Sequence, residues 1–125
     1  MELRAEDITI AVTVYSRREF VCDAIRSALD QTVPVKVIVV EDCSPDAMIR
    51  ERIIKEFGDR VNYFRNPVNR GLFDNWNACM EYSRTAWLSI LHDDDTLRPR
   101  FIETILQLSR EAPNRGLYYG RVACL

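Results

Sequence analysis

The stretch "VKVIVVEDCSP", residues 35–45, decides how the rest of the chain is read. It opens as an almost unbroken apolar run rich in β-branched residues, the pattern of a parallel strand covered on both faces. The run ends in two acids, Glu41 and Asp42. Ser44-Pro45 follows, and it reads as the N-cap and first residue of a helix. The helix it opens carries Met48, Ile49, Ile53, Ile54 and Phe57 along one side.

Working outward, the same unit recurs. "ITIAVTV" (8–14) is a first strand. Behind it, "SRREFVCDAIRSALDQ" (16–31) repeats apolar residues at helical spacing (Phe20, Val21, Ala24, Ile25, Ala28, Leu29). Ser16 and Glu19 have the spacing of a capping box. "VNYFR" (61–65) is a third strand, shorter and more polar, and so expected near an edge. Leu72, Trp76, Cys79 and Met80 mark a third helix with Trp76 and Met80 in the core. "AWLSIL" (86–91) is a fourth strand, Pro99 opens a fourth helix, and "GLYYGRVACL" (116–125) reads as a fifth strand. Strict β-α alternation implies an α/β, Rossmann-like, mostly parallel sheet with helices on both faces and right-handed crossovers. The whole of 1–125 reads as one domain, a size sufficient for one core.

Composition narrows the function. Hydrophobic residues are 47% and charged residues 29% of the chain, and the net charge is −2. With the arginines scattered, there is no electrostatic footprint for nucleic acid. No apolar run reaches the ~18 residues of a membrane span, and "MELRAEDITI" lacks a signal-peptide layout, so a cytoplasmic location is expected. Cys22, Cys43, Cys79 and Cys124 contain no C-x-x-C pair and read as reduced thiols.

In a parallel sheet, ligands bind beyond the carboxyl ends of the strands, where strand order reverses. Tyr15 and Ser16 follow strand 1, Glu41 and Asp42 follow strand 2, and His92, Asp93, Asp94 and Asp95 follow strand 4. These groups are expected to converge on one crevice. Two unit charges ~4 Å apart repel by about 4 kcal/mol at surface-like screening, so three successive aspartates imply either a cation or splaying into water. Hard oxygen ligands suit Mg²⁺ or Mn²⁺ shared with substrate phosphates. The simpler alternative is that the aspartates favour the N-terminus of the following helix. A dinucleotide G-x-G-x-x-G is absent after strand 1, where "VYSRRE" stands, and a Walker A pattern is absent throughout. A phosphoacceptor receiver domain matches in length, but it would require acids after strand 1 and a lysine after strand 5. The only lysines are Lys36 and Lys55.

Four segments together resemble the nucleotide-binding half of GT-A fold glycosyltransferases of the family 2 type. "VTVYSRREFVCDAIRSALDQT" is similar to that family's opening strand, P-T-Y-N-R-like turn and first helix. "VIVVEDCSPD" resembles its V-D-D-G-S segment, with Glu41 and Cys43 as substitutions. "NPVNRGLFDNWNACM" resembles its N-x-G…N element through Asn69, Gly71 and Asn77, and "SILHDDDTLRP" its metal-binding D-x-D region, with His92 in place of the first aspartate.

The resemblance implies a donor site of Thr13, Tyr15, Ser16, Glu41, Asp42, Asn69, Arg70, Gly71 and Asp93. Tyr15 and Asp42 would hold the nucleobase and Asp93 the ribose or diphosphate. Asp94 would ligate Mg²⁺ or Mn²⁺, with Asp95 as an outer partner. The implied reaction is inverting transfer of a sugar from a nucleotide-diphosphate sugar to an acceptor hydroxyl on a saccharide, lipid-linked saccharide or protein. The carboxylate base and the acceptor-binding half are expected beyond Leu125. A non-catalytic nucleotide-binding module is the alternative. Self-association, and recruitment to the cytoplasmic face of a membrane, complete the expectations.

Overall fold

The computed structural model describes residues 2–124. Four parallel strands, β1 (Ile8–Val14), β2 (Lys36–Glu41), β3 (Asn62–Arg65) and β4 (Trp87–His92), form one sheet in the order β3-β2-β1-β4. The helices α1 (Val21–Leu29), α2 (Ala47–Phe57), α3 (Leu72–Tyr82) and α4 (Phe101–Glu111) follow the strands in turn. β1 is buried along its whole length because it has a parallel neighbour on each side, Thr13 lying opposite both Val40 and His92. β3, the shortest strand, lies at an edge as its polarity suggested.

Alternation along the strands sends successive side chains to opposite faces. On one face, Ile10, Val12, Val37, Val39 and Leu91 pack with Ile25 of α1, Ile49 and Ile53 of α2 and Ile102 of α4. On the other, Ala11, Ile38 and Val40 meet Ala78 and Cys79 of α3, flanked by Phe64 stacked on Tyr82 at 4.4 Å. Helices therefore cover both faces, three on one and a single helix on the other. Small side chains at Ala11 and Ala78 let α3 lie close to the sheet.

Several expected details differ. Residues 116–124 form no fifth strand. Past Ala112, Pro113 and the left-handed Asn114 (φ 61°) turn the chain, and the tail meets β4 through the Tyr118 ring on Trp87 at 5.4 Å, with no backbone ladder. Leu125 lies outside the described residues. The Ser16–Glu19 box does not cap α1. The carbonyl of Arg17 instead accepts from the N–H groups of Phe20 and Val21, and the helix begins at Val21 with no side-chain cap.

The cap of α2 is Asp46, whose Oδ1 accepts from Met48 N at 3.0 Å; Ser44 Oγ accepts from Asp46 N one step earlier. α4 starts at Phe101 rather than at Pro99, and a distant residue satisfies its first turn: buried Gln31 accepts from Ile102 N at 2.9 Å through Oε1. Met80, Leu72, Met48, Ile54 and Phe20 are exposed rather than core, and Trp76 is half-buried. On α3 the buried stripe is Asn75, Ala78 and Cys79, a rotation away from the one its largest residues suggested. None of the described helices is long and apolar enough to cross a membrane.

Packing also ranks the thiols. Burial and the neighbouring Glu56 push Cys22 up to about 11, and burial pushes Cys79 up to about 12, whereas Cys124 is exposed and Cys43 intermediate. The thiolate is the reactive form. Brief iodoacetamide treatment of native protein at neutral pH, read by peptide mass spectrometry, is therefore expected to label Cys124 first and Cys43 next. Cys22 and Cys79 should react only after unfolding. Modification of Cys79 at the rate of Cys124 would contradict the packing of α3 on the sheet.

Candidate functional site

Strand order reverses at β1: β2 and β3 lie to one side of it, β4 to the other. The segments leaving β1, β2 and β4 therefore meet at one end of the sheet. Thr13 and His92 lie side by side in register, and Thr13 Oγ1 is 3.4 Å from His92 Nδ1. The His92 ring also packs against Trp76 of α3, centroids 5.6 Å apart. His92 is thus held by side-chain packing and a hydroxyl, where the resembled motif has a carboxylate.

The two acids after β2 take opposite faces. Glu41 continues the parity of Val37 and Val39. It is buried and accepts from the Tyr63 hydroxyl (2.6 Å), Arg65 Nε (2.6 Å) and Ser44 N (3.0 Å). Burial, with the Glu41 charge beside it, pushes the Tyr63 hydroxyl far up, so it stays a donor. Every contact of Glu41 lies within the fold, between β3 and the turn into α2.

Asp42 continues the parity of Ile38 and Val40, toward α3. Its Oδ1 accepts from Asn66 Nδ2 (2.9 Å) and Arg70 N (2.8 Å), and its Oδ2 from Gly71 N (2.9 Å). Asn69 Nδ2 donates to the Asp42 carbonyl at 3.1 Å. Gly71 is the N-cap of α3, so the carboxylate sits where the helix dipole favours negative charge. Arg70 contributes its backbone; its guanidinium is turned to Glu81 in a two-pronged pair (3.0 and 3.1 Å) and to Asp74. Cys43 has φ 51°, a left-handed backbone, at the position where the resembled segment has glycine.

Beyond β4 the aspartates diverge. Asp93 Oδ2 is 3.4 Å from Tyr15 N, which ties β4 to the β1–α1 turn. Burial, reinforced by the adjacent Asp94 charge, raises the Asp93 carboxyl above its ordinary range, while backbone N–H groups of Tyr15 and Arg17 oppose the shift. Asp94 faces Arg17 at 3.7 Å, both substantially exposed. Asp95 is exposed, and its N–H closes the turn onto the His92 carbonyl at 3.1 Å. Residues 97–102 are tied back to α1, Leu97 N donating to Ser27 Oγ and Gln31 bonding Arg98 O and Ile102 N. Tyr15 and Ser16 are exposed at the mouth.

The sequence-derived residues thus fall into two groups around β1. Thr13, Asp42, Asn69, Arg70 and Gly71 lie on the α3 side, while Tyr15, Ser16, Asp93 and Asp94 surround the β1–α1 turn. Glu41 belongs to the opposite face. Among the described residues, no three His, Cys, Asp or Glu side chains assemble as a metal cage. Sequence reasoning missed the buried amides Asn66 and Asn75 and the cap residue Gln31.

Comparison with known proteins fits this geometry. Residues 9–125 match the family described as Glycosyl transferase family 2. The chain belongs to that family. It is 30% identical over 118 residues to an uncharacterized glycosyltransferase of Haemophilus influenzae, covering 94% of this chain and 39% of that protein. With the succinoglycan biosynthesis protein ExoO of Rhizobium meliloti it shares 34% identity over 106 residues, covering 83% and 30%. The chain therefore spans well under half the length of these curated relatives.

Among solved structures, S. aureus TarS 1-349, described in complex with UDP-GlcNAc, superposes with a TM-score of 0.73 at 16% identity, covering 90% of this chain and 37% of that one. The mannosyltransferase PcManGT of Pyrobaculum calidifontis, in complex with GDP-Man and Mn²⁺, gives 0.68 at 17%, covering 82% and 31%. These likenesses establish a GT-A type fold.

Gly71 offers a direct test of the Asp42 clamp. Its φ of 83° and ψ of 170° lie in a region that only glycine occupies readily, and an added Cβ would meet nothing within 4 Å. The cost of Gly71→Ala is then conformational, about 1–3 kcal/mol. Urea denaturation should show that loss, with the slope unchanged. A variant as stable as the parent would mean that the loop adopts another backbone.

Proposed function

We propose that this chain is the donor-binding part of a glycosyltransferase that transfers a sugar from a nucleotide-diphosphate sugar to an acceptor hydroxyl, with inversion. The observation that carries the reading is the pairing of a buried, clamped Asp42 on one side of β1 with the exposed Asp94 on the other, at the point of strand-order reversal, in a family 2 chain. A nucleotide lying across β1 would meet Tyr15 and Asp42 at the base, Asp93 at the ribose or diphosphate and Asp94 at the phosphates. Thr13, Ser16, Asn69, Arg70 and Gly71 line or shape the same end, and Glu41 acts from the opposite face by bracing β3 and the α2 turn.

The donor set fits a particular kind of metal. Asp94 is an exposed carboxylate held only by a long contact to Arg17, with Asp95 as outer partner, and no protein cage surrounds it. Mg²⁺ and Mn²⁺ are commonly held by one or two carboxylates completed by substrate phosphates. When bound, such an ion supplies charge neutralisation at the leaving diphosphate. The protein's own part is to fix the base at Asp42 and to keep Asp94 available. The relatives' nucleotide sugars, UDP-GlcNAc and GDP-Man, support a nucleotide-sugar donor here. The acceptor would be a saccharide, a lipid-linked saccharide or a protein. A cytoplasmic location, at the membrane face where the acceptor is lipid-linked, and self-association complete the proposal.

Titration calorimetry with a panel of nucleoside diphosphates, in Mn²⁺ and in chelator, tests it. Asp94→Asn should weaken binding on the order of tenfold in Mn²⁺ and scarcely at all in chelator, since it removes an anionic ligand. Asp42→Ala should weaken binding in both conditions. Equal losses for the two variants under both conditions would remove the separate roles, and no binding by the parent chain would remove the donor site.

A further inference from the structure

Two buried amides lie behind Asp42. Asn66 is fully buried and Asn75 is 4% exposed. Asn66 Nδ2 donates to Asp42 Oδ1 at 2.9 Å and to Asn75 Oδ1 at 2.8 Å, and Asn75 Nδ2 reaches the Val40 carbonyl at 3.5 Å. The direction of this chain is fixed chemically. Asp42 accepts only, so Asn66 must present its NH₂ there; Asn75 must then present oxygen to Asn66 and nitrogen to Val40. The order costs something, because Asn66 Oδ1 is left buried without a partner. Leaving such an orphan is unfavourable, and a plain filler of that space would avoid it. What the amide adds is a donor at Asp42.

From this geometry we infer that Asn66 and Asn75 are positioning residues for recognition of the nucleobase, acting through Asp42; the inference rests on the donor-site reading above. An ionised carboxylate has about four acceptor positions. Asn66, Arg70 N and Gly71 N fill three, two on Oδ1 and one on Oδ2. The open position is on Oδ2, and the relay on Oδ1 fixes its direction. All three donors are neutral, and among the described residues no cation pairs with Asp42. The guanidinium of Arg70, whose backbone N–H bonds Asp42, is held by Glu81. No cation of the described residues competes for the remaining Oδ2 position, which is left to an N–H group of the base while the carboxylate's orientation is set from behind. The relay crosses from β2 through Asn66 to α3, so the carboxylate is referenced to two rigid elements rather than to the loop alone.

The full chain, titrated in Mn²⁺ with UDP, GDP and pyrophosphate, tests this, pyrophosphate serving as the base-free probe. Asn66→Ala should weaken the better-binding nucleoside diphosphate roughly tenfold, in the range seen for outer supporting partners, and leave pyrophosphate unchanged. Asn75→Ala should weaken it less, about threefold, because it acts one bond further back. In an Asp42→Ala background, Asn66→Ala should add nothing, since residues acting through one group are non-additive. Circular dichroism identifies a variant that fails to fold; if Asn66→Ala does, the same measurements on Asn75→Ala decide. Parent-like nucleotide affinity, equal losses for nucleotide and pyrophosphate, or additivity with Asp42→Ala would each overturn the relay. A parent chain that binds neither nucleotide would instead overturn the donor reading on which it rests.

Discussion

Parallel pairing on both edges of β1 is the constraint from which the rest follows. A strand hydrogen-bonded to β2 on one side and β4 on the other cannot expose its backbone, and with helices over both faces its side chains are buried throughout. Because β2 and β4 leave it in opposite directions of chain order, their outgoing segments cannot cover the same ground, and a crevice opens between them. Everything chemically interesting is attached to that crevice by a single residue of strand parity. Thr13, Asp42 and His92 go to the α3 side, and Glu41 goes to the other.

Parity also explains why two adjacent acids have such different lives. Glu41 lies opposite Arg65 in the β2–β3 register, and it is held by a guanidinium, a phenol and a backbone N–H. A buried carboxylate paired in this way is a brace. Asp42, one residue later, meets neutral donors only. Shifting the register by one residue would exchange these environments. The difference between the brace and the proposed recognition group is thus made by the sheet.

The alternation of elements, the whole of β1 and the acidic exits after β2 and β4 were legible in the sequence because period and composition record burial directly. What was not legible required partners distant in the chain. Gln31 bonds the first turn of α4 from 71 residues away, and the helix starts at Phe101 rather than at Pro99. Asn66 and Asn75 look like turn and helix-surface residues until α3 is placed over Val40. Met80 and Leu72 misled because size suggested burial, whereas the close approach of α3 to the sheet selected Asn75, Ala78 and Cys79. The tail at 116–124 has a strand's composition but no ladder; Trp87 engages Tyr118 by its ring alone. In the site, Tyr15, Asp42 and Asp94 were found by their place after strands, while the company each keeps was visible only in three dimensions.

The two anionic ends of the crevice are built with different stiffness, and the difference suits a ligand with a rigid head and a changing tail. At the Asp42 end, β2, β3 and α3 are joined by buried amides and two backbone N–H groups, so a planar base would meet a fixed acceptor. At the other end Asp94 is exposed, and Arg17, its nearest cation, also lies largely in solvent at 3.7 Å. An exposed pair at that distance contributes at most about 1 kcal/mol, so it exchanges readily for other partners. Phosphates alter their charge and contacts as a glycosidic bond to them breaks, and a loosely held carboxylate beside an arginine can follow that alteration. A buried, clamped one cannot. On the proposed donor reading, the rigidity needed for recognition and the exchangeable contacts needed near the reacting phosphate are thus separated by the width of one strand.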